Sequence, residues 1–317
     1  MISKNIWLIG TGNMAVEYAK VLNDLKVEYT VIGRSDSRCE SFYRITGKIP
    51  LSGGLENYLK SKPETPDAVI NTTGIESLTE STSLLLNYGV KYILLEKPGF
   101  GNPKELELTK RSVDLNRAEV LIAYNRRFYS SVIRAKEIIQ NDGGIKSFNF
   151  DFTEWAHIIK DLKKENVELE NWFYGNSLHL IDLAFFLGGK PIELTSFQKG
   201  GLDWHPSGEI FSGAGITESG ALFSYIANWS SPGRWGLELC TNNFRLIFKP
   251  IEKLSVMKLG SVKIEEDDLI NYNLDELFKP GLYLQTQAFL KKELSQFATV
   301  NDQIIANNTY LNKINSK

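Results

Sequence analysis

Short apolar runs alternate with amphipathic stretches over the first third of the chain. The apolar runs predict strands, and the stretches between them, in which apolar residues recur every three or four positions, predict helices. The predicted strands are Ile6–Ile9, Tyr29–Ile32, Ala68–Asn71, Tyr92–Leu95 and Val120–Ala123, and the predicted helices are Met14–Leu25, Ser77–Asn87 and Pro103–Asn116. Strands and helices in this alternation predict right-handed crossovers and an α/β fold with a doubly wound parallel sheet.

The hydrophobic pattern changes after Ala123. Phe148–Phe152 alternates as a strand does, and Trp172–Leu187 predicts a helix. Residues 192–262 contain period-two runs such as Ala221–Asn228, separated by clusters of turn residues. These features predict a second, α+β domain built on a mostly antiparallel sheet.

A last helix is predicted over Leu282–Phe297, and we expect it to pack back on the first domain. The predicted division of the chain is residues 1–123 for a nucleotide-binding domain, 124–281 for a substrate-binding domain and 282–317 for the returning segment.

Composition excludes several classes of function. Of the 317 residues, 42% are hydrophobic and 23% charged, as in a globular protein, and the net charge of −2 gives no reason to expect nucleic acid or membrane lipid as a partner. No apolar run approaches the ~20 residues of a membrane helix. Two cysteines and three widely spaced histidines predict neither a disulfide framework nor a metal site. We therefore expect a cytoplasmic, reducing location.

A glycine-containing turn joins the first predicted strand to the first helix. It reads Gly10, Thr11, Gly12, Asn13, Met14 and Ala15. In such a turn the first glycine permits a tight bend, the second lets a pyrophosphate approach the backbone, and the small last residue lets helix pack on strand. A structural turn is the alternative, but the position between an apolar strand and an amphipathic helix favours dinucleotide binding.

The residues after the second strand bear on the choice of cofactor. NAD enzymes usually have an acidic residue there to bind the ribose 2′-hydroxyl. This chain has Arg34 and Ser35, with Arg38 close behind. A guanidinium and a hydroxyl suit a 2′-phosphate, which favours NADP over NAD. In the alternative interpretation Asp36 binds the ribose and Arg34 is a solvated loop residue.

A candidate proton-transfer group follows the fourth predicted strand, in Glu96-Lys97-Pro98. Oxidation of an alcohol requires a base for the hydroxyl proton, and a lysine serves when its surroundings lower its pKa. Glu96 is expected to position Lys97 or to hold the nicotinamide ribose. The alternative is that Lys97-Pro98 merely ends a strand.

His179 is the second candidate. His179 and Asp182 lie one turn apart on one face of the predicted helix, so the carboxylate can orient the imidazole. A lone histidine in an apolar helix is often a core residue, but the preceding aromatic residues Trp172, Phe173 and Tyr174 offer flat faces to a sugar.

Taken together, these motifs resemble the Gfo/Idh/MocA oxidoreductases, the family of glucose-fructose oxidoreductase and inositol dehydrogenase. The resemblance spans the chain and rests on Gly10–Ala15, Glu96-Lys97-Pro98, Ala123–Phe128, His179–Asp182 and Gly188-Gly189. It implies a Rossmann domain followed by a domain with a large open sheet, with Lys97 and His179 as the catalytic pair. It also implies a cis Lys97–Pro98 bond and a homodimer or homotetramer formed through the open sheet face.

The chain departs from the family pattern in two places. Gly175 stands where many members have an aspartate, four residues before the histidine, and this bears on the proton relay. Asn71, Thr72 and Thr73 stand in a loop where many have proline and histidine, and they become the expected contacts on the nicotinamide side.

The predicted function is an NADP-dependent oxidoreductase acting on a secondary hydroxyl or keto group of a sugar-like molecule, such as a sugar, cyclitol, sugar acid or nucleotide sugar. The expected substrate contacts are Tyr124, Arg127, Tyr174, Asn176 and His179, with Trp229, Arg234 and Trp235 as weaker candidates. Arg234 lies between two tryptophans and could bind a carboxylate or phosphate, but the favoured alternative is a strand-edge residue stacked on its neighbours. Two alternatives remain open: a non-catalytic cofactor or sugar sensor, and a redox-neutral enzyme that catalyses elimination or glycoside cleavage through a transient ketone.

Overall fold

The computed structural model describes residues 5–100, 103–162, 164 and 166–315. The chain forms two units, one of residues up to Phe128 with Asn273–Ile304, the other of Tyr129–Tyr272 with residues from Ile305 onward. The predicted boundary at 123/124 thus lies slightly before the observed division, and the predicted segment 282–317 is shared between the units. Residues 1–4, 101–102, 163, 165 and 316–317 of the predicted segments lie outside the described residues.

The elements of the described residues are as follows. The strands are β1 (Ile6–Ile9), β2 (Tyr29–Ile32), β3 (Ala68–Asn71), β4 (Tyr92–Glu96), β5 (Glu119–Ala123), β6 (Ser147–Asp151), β7 (Pro191–Lys199), β8 (Ile210–Thr217), β9 (Leu222–Asn228), β10 (Gly236–Cys240), β11 (Phe244–Phe248), β12 (Ser255–Lys258), β13 (Ile264–Glu266) and β14 (Ala298–Thr299). The helices are α1 (Asn13–Asp24), α2 (Asp36–Thr46), α3 (Gly54–Lys60), α4 (Leu78–Tyr88), α5 (Pro103–Asn116), α6 (Ser130–Asn141), α7 (Ala156–Ile159), α8 (Asn166–Glu170), α9 (Leu178–Gly188), α10 (Asn273–Leu277), α11 (Leu282–Lys291), α12 (Val300–Ala306) and α13 (Asn312–Ile314). A π-helical turn, Phe173–Ser177, leads into α9.

The first unit is built on a six-stranded sheet of order β14-β5-β4-β3-β1-β2, in which β1 to β5 are parallel and β14 is antiparallel to β5. Every residue of β1 and of β3 is buried, because helices cover both faces of such a sheet. The predicted doubly wound parallel sheet is confirmed. Its strand order reverses at β1 and β3, and the crevice outside their carboxyl ends is where such sheets bind ligands.

Helix α11 packs on this first unit. The ring of Phe289 stacks on that of Tyr92 with centroids 4.4 Å apart, and the Tyr92 hydroxyl donates to Phe289 O at 2.8 Å. The helix predicted over Leu282–Phe297 ends earlier, at Lys291, because Lys292 adopts a left-handed conformation with φ of 59°. The chain then forms β14 at the edge of the sheet.

The second unit is built on an eight-stranded sheet of order β13-β12-β11-β10-β6-β9-β8-β7. All neighbouring pairs in it are antiparallel except β6 and β9, so the predicted mostly antiparallel sheet is confirmed. Helix α9 covers one face, where Phe185 packs on Phe148 and Phe150. A Cβ on Gly188 would lie 2.4 Å from the Phe148 ring, so glycine allows this close approach.

Candidate active site

The first turn of the first unit requires glycine at position 10. Gly10 has φ of +109°, and a Cβ there would lie 2.7 Å from Thr72 Oγ1. Thr72 is itself fixed, because its hydroxyl donates to Ile9 O at 2.7 Å. The turn after β1 and the loop after β3 therefore pack against each other at the carboxyl edge of the sheet.

Gly12 leaves room for a ligand instead. It precedes α1 with φ of −82°, and a Cβ added there would meet no atom within 4 Å. It lines a cavity of about 430 Å³ together with residues of the loops after β1, β2 and β3. The N–H groups of the first turn of α1, which includes Asn13 and Met14, carry the partial positive charge that attracts phosphate.

Arg34 and Arg38 line this cavity, whereas Asp36, the first residue of α2, is not part of its lining. The cavity wall also includes Gly53 and Gly54, which the sequence analysis missed. Gly54 N donates to Gly33 O at 2.8 Å, so this glycine pair lies against the end of β2. The adjacent glycines were a possible signal, since both have positive φ values that favour glycine.

Hydrogen bonds fix the loop after β3. The buried Asn71 side chain donates to Ser81 Oγ at 2.8 Å and accepts from Thr73 Oγ1 at 3.0 Å. Thr72 and Thr73 line the cavity, while Asn71 is fully buried behind them. The three residues predicted to contact the nicotinamide side thus form one ordered segment at the end of β3.

Lys97 follows β4 at the same carboxyl edge of the sheet, and the Lys97–Pro98 bond is cis. Burial raises the pKa of Glu96, although the Lys97 charge and a hydrogen bond from Tyr18 oppose that shift. Tyr18 is fully buried. In one orientation of the Gln285 amide, the amide nitrogen donates to Tyr18 Oη at 3.1 Å. In that orientation the amide oxygen accepts from Asn125 N at 3.1 Å. Glu96 is therefore held by the buried Tyr18 of α1, which Gln285 of α11 contacts in turn.

In the second unit, His179 and Asp182 lie on α9. Their exposed fractions are 8% and 7%, and the rest of the helix is almost entirely apolar and buried. Placing two ionisable groups in such a helix costs free energy, which favours a functional role over a packing role.

A buried carboxylate that the sequence analysis missed lies close to the start of α9. Glu154 is 1% exposed and accepts hydrogen bonds from Asn176 Nδ2 at 2.9 Å and Ser177 Oγ at 2.8 Å. Its other oxygen pairs with Arg234 at 3.3 Å. Burial raises the pKa of Glu154, while these hydrogen bonds and the arginine charge oppose the shift. Two of the predicted substrate contacts, Asn176 and Arg234, thus meet at one carboxylate.

Two aromatic rings lie beside the Arg234 guanidinium. Its guanidinium carbon lies 4.8 Å from the Trp155 ring centroid and 5.1 Å from that of Trp235. Stacking and the ion pair with Glu154 together fix the direction of the guanidinium.

Tyr124 and Tyr174, two further predicted substrate contacts, are buried. In the first unit Tyr124 is 2% exposed, its hydroxyl donates to Gln303, and Arg127 lies over its ring at 5.3 Å. In the second unit Tyr174 is buried, with its hydroxyl 3.1 Å from Asn312 Oδ1. Tyr124 therefore has little surface to offer a substrate.

Two features are absent from the described residues. No group of three or more histidine, cysteine, aspartate or glutamate side chains in that part of the chain is arranged to hold a metal ion. None of its helices has the length and apolar character needed to cross a membrane.

The sequence matches no protein-family model and no curated protein. Solved structures are similar in fold. A levoglucosan dehydrogenase in complex with NADH and levoglucosan aligns with a TM-score of 0.76 and 15% identity, over 98% of this chain and 96% of that one. A UDP-N-acetylglucosamine 3-dehydrogenase from Acidithiobacillus ferrooxidans aligns with a TM-score of 0.71 and 13% identity, over 96% and 95%. An oxidoreductase from Desulfitobacterium hafniense, described as NADPH-dependent, aligns at 0.75 and 16%, over 98% and 93%.

The structural neighbours are dehydrogenases and oxidoreductases of the Gfo/Idh/MocA type. The fold implied by the sequence resemblance is therefore confirmed for both units. At these levels of identity the likeness establishes the fold, and the activity of this chain has to be argued from its own residues.

Proposed function

We propose that this chain is an NADP-dependent oxidoreductase that transfers a hydride between the nicotinamide and a secondary hydroxyl or keto group of a sugar-like substrate. The observation that carries the proposal is the position of Lys97. Lys97 follows β4 at the sheet edge where the glycine turn after β1 and the loop after β3 line the cavity of about 430 Å³. We call this cavity the cofactor cavity. This position supports a proton-transfer role for Lys97, because a doubly wound sheet binds a dinucleotide at this edge.

In the proposed reaction Lys97 takes the proton from the substrate hydroxyl, and the carbonyl forms as the carbon loses its hydride. Bound NADP would supply the hydride acceptor. His179 takes part in this proton transfer, and Asp182 on the same helical face supports the imidazole. Glu96, held by Tyr18, fixes the backbone position and charge environment of Lys97.

The residues that line the cofactor cavity support the proposed preference for NADP. Arg34 and Arg38 line the cavity and Asp36 does not, which supports a 2′-phosphate rather than a free ribose 2′-hydroxyl. The similarity to one oxidoreductase described as NADPH-dependent is compatible with this, although another neighbour was solved with NADH.

A substrate of the sugar class is proposed because Asn176, Arg234 and Glu154 form a polar cluster close to the start of the His179 helix. The test is reduction of NADP, followed by absorbance, with a panel of free sugars, cyclitols, sugar acids and nucleotide sugars. Reduction with one class supports the proposal and identifies that class. Tight NADP binding without reduction by any compound contradicts it and favours a sensor or a redox-neutral enzyme.

Replacing Gly12 with alanine is expected to weaken NADP binding about tenfold or more without unfolding the protein. The φ of −82° suits alanine, and the added methyl group meets no protein atom within 4 Å, so it enters the space proposed for the pyrophosphate. Calorimetric titration with NADP and the thermal unfolding midpoint measure the two effects.

The control for this substitution is Gly236→Ala on β10, where the nearest atom to an added Cβ is 3.7 Å away. We expect it to change neither NADP affinity nor the unfolding midpoint. If Gly12→Ala binds NADP as well as the unsubstituted protein does, the pyrophosphate does not lie at this turn.

We also propose that the open face of the second sheet pairs two copies of the chain. The strand register places Phe197, Ser212, Ile226 and Asp151 in one row across this face, and Phe197 and Ile226 are 69% and 54% exposed. Apolar side chains so exposed on a flat sheet favour association.

Ile226→Asp is expected to convert the oligomer to monomers, because a carboxylate would have to be desolvated in the interface. Light scattering after size-exclusion chromatography measures the mass. Leu115→Asp, an equally charged change at a residue 85% exposed on α5, is the control and should leave the mass unchanged. A monomeric unsubstituted protein, or an unchanged mass for Ile226→Asp, contradicts the proposal.

A further inference from the structure

The second unit contains a separate cavity of about 710 Å³, which we call the indole cavity. Its walls include Trp155, Trp204 and Trp229. Trp155 follows β6 and Trp229 follows β9, and these strands are parallel, so both residues lie at the same edge of the sheet. Trp204 comes from the connection between β7 and β8.

The three indoles are held in defined orientations. Trp204 and Trp229 stack with centroids 5.9 Å apart and planes 9° from parallel. The Trp155 indole N–H donates to Gly233 O at 2.8 Å, and the Arg234 guanidinium lies over its ring. Even so, Trp155 is 44% exposed. A large apolar ring kept partly in solvent by fixed contacts is a feature of ligand sites.

The charge around the indole cavity limits what could occupy it. Lys160 and Asp203 are charged lining residues of opposite sign, and the remaining polar lining residues are His157, Ser230 and Ser231. A nucleoside diphosphate brings at least two negative charges, whereas Lys160 is the one Lys or Arg among these lining residues, and Arg234, which lies over the Trp155 ring, is already paired with Glu154. Trp229 is buried beneath Trp204, and the partly exposed indoles of Trp155 and Trp204, with hydroxyl-bearing and oppositely charged neighbours, suit an uncharged ring that carries hydroxyl groups.

The indole cavity also lies close to the helix that carries His179. Glu154 is the residue before Trp155, and its carboxylate accepts hydrogen bonds from Asn176 and Ser177, directly before α9. Arg234 connects the two regions, because its guanidinium pairs with Glu154 and lies over the Trp155 ring.

We propose that the indole cavity binds a second, uncharged sugar ring, so that the substrate is a disaccharide or other glycoside rather than a single free sugar. The inference rests on the proposed function only in placing the reacting ring beside His179. The binding of the second ring is independent of hydride transfer and can be tested without it.

The experiment is a tryptophan-fluorescence titration of the full chain with cellobiose, maltose, lactose, sucrose and trehalose, beside their component monosaccharides and UMP. At least one disaccharide is expected to bind about tenfold more tightly than its monosaccharides, and Trp155→Ala is expected to abolish that difference. Tyr43→Ala, which removes an exposed aromatic ring from α2 of the first unit, should preserve it. Ser231→Trp, which fills the cavity from an exposed lining position, should abolish it without removing an indole.

Three results would overturn the proposal: no disaccharide binds, disaccharides bind no better than monosaccharides, or UMP binds through Trp155 in their place. Repeating the titration with Lys97→Ala separates this inference from the proposed function. Disaccharide binding without NADP reduction by the unsubstituted protein would retain the indole cavity and reject the oxidoreductase. NADP reduction by monosaccharides, with no tighter binding of disaccharides, would retain the oxidoreductase and reject the second sugar ring in the indole cavity.

Discussion

Lys97→Ala is expected to lower turnover about 10²-fold or more while NADP affinity stays within a few fold. The substitution removes the group proposed to take the hydroxyl proton, and it leaves untouched the glycine turn and the loop after β3 that line the cofactor cavity. The two measurements are the rate of NADP reduction with the substrate class found in the panel and calorimetric titration with NADP.

The matched control is Lys91→Ala. Lys91 immediately precedes β4 and Lys97 immediately follows it, so the two lysines lie at opposite ends of one strand. The Lys91 ammonium donates to Asn116 O at 2.5 Å, at the edge away from the cofactor cavity. Lys91→Ala should keep full turnover. Near-normal turnover in Lys97→Ala would show that the proton leaves by another route.

Arg34→Ala is expected to raise the KM for NADP about 10- to 100-fold and to leave the KM for NAD unchanged. A hydrogen bond to a charged group contributes about 1.5–3 kcal/mol, and NAD lacks the phosphate that would receive it. Arg34 lines the cofactor cavity beside Gly54, whose added Cβ would lie 3.9 Å from Arg34 Cγ. Steady-state kinetics with each cofactor at saturating substrate measure the change in preference.

Arg44→Ala is the control for the charge change. Arg44 lies in the last turn of the same helix that follows Arg34, where it is exposed and pairs with Glu40. It should affect neither cofactor. If the unsubstituted protein already prefers NAD, or if Arg34→Ala weakens both cofactors equally, Arg34 does not recognise a 2′-phosphate.

Local sequence predicted the first sheet closely. Strands β1, β2 and β3 begin and end at the predicted residues, because each is a short, largely apolar run that ends at a turn. The alternation of Phe148 and Phe150 with polar residues likewise predicted a strand within one residue of β6. Backbone hydrogen bonding and burial on one or two faces impose these periods locally, so a single sequence reveals them.

Elements with weak local patterns were missed. Helix α2 buries only Cys39 and Phe42 of its eleven residues, which leaves little apolar periodicity to detect. Helix α3 begins at a glycine pair whose position against β2 depends on contacts outside its own segment. The return of residues 273–304 to the first unit likewise depends on packing such as that of Phe289 on Tyr92, 197 residues apart in the chain.

The sequence by itself determined the strands of the two sheets, the glycine turn, the lysine at the end of β4 and the histidine helix, because each has a pattern in adjacent residues. The tertiary structure alone decided that Glu154 holds Asn176 and Arg234, which are 22 and 80 residues away, and that three distant tryptophans line one cavity. Such constellations leave no local period, since they form only when folding brings separate strands and loops to the same edge of a sheet. The physical reason is that hydrogen-bond periodicity acts over neighbouring residues, whereas burial and charge pairing act through space.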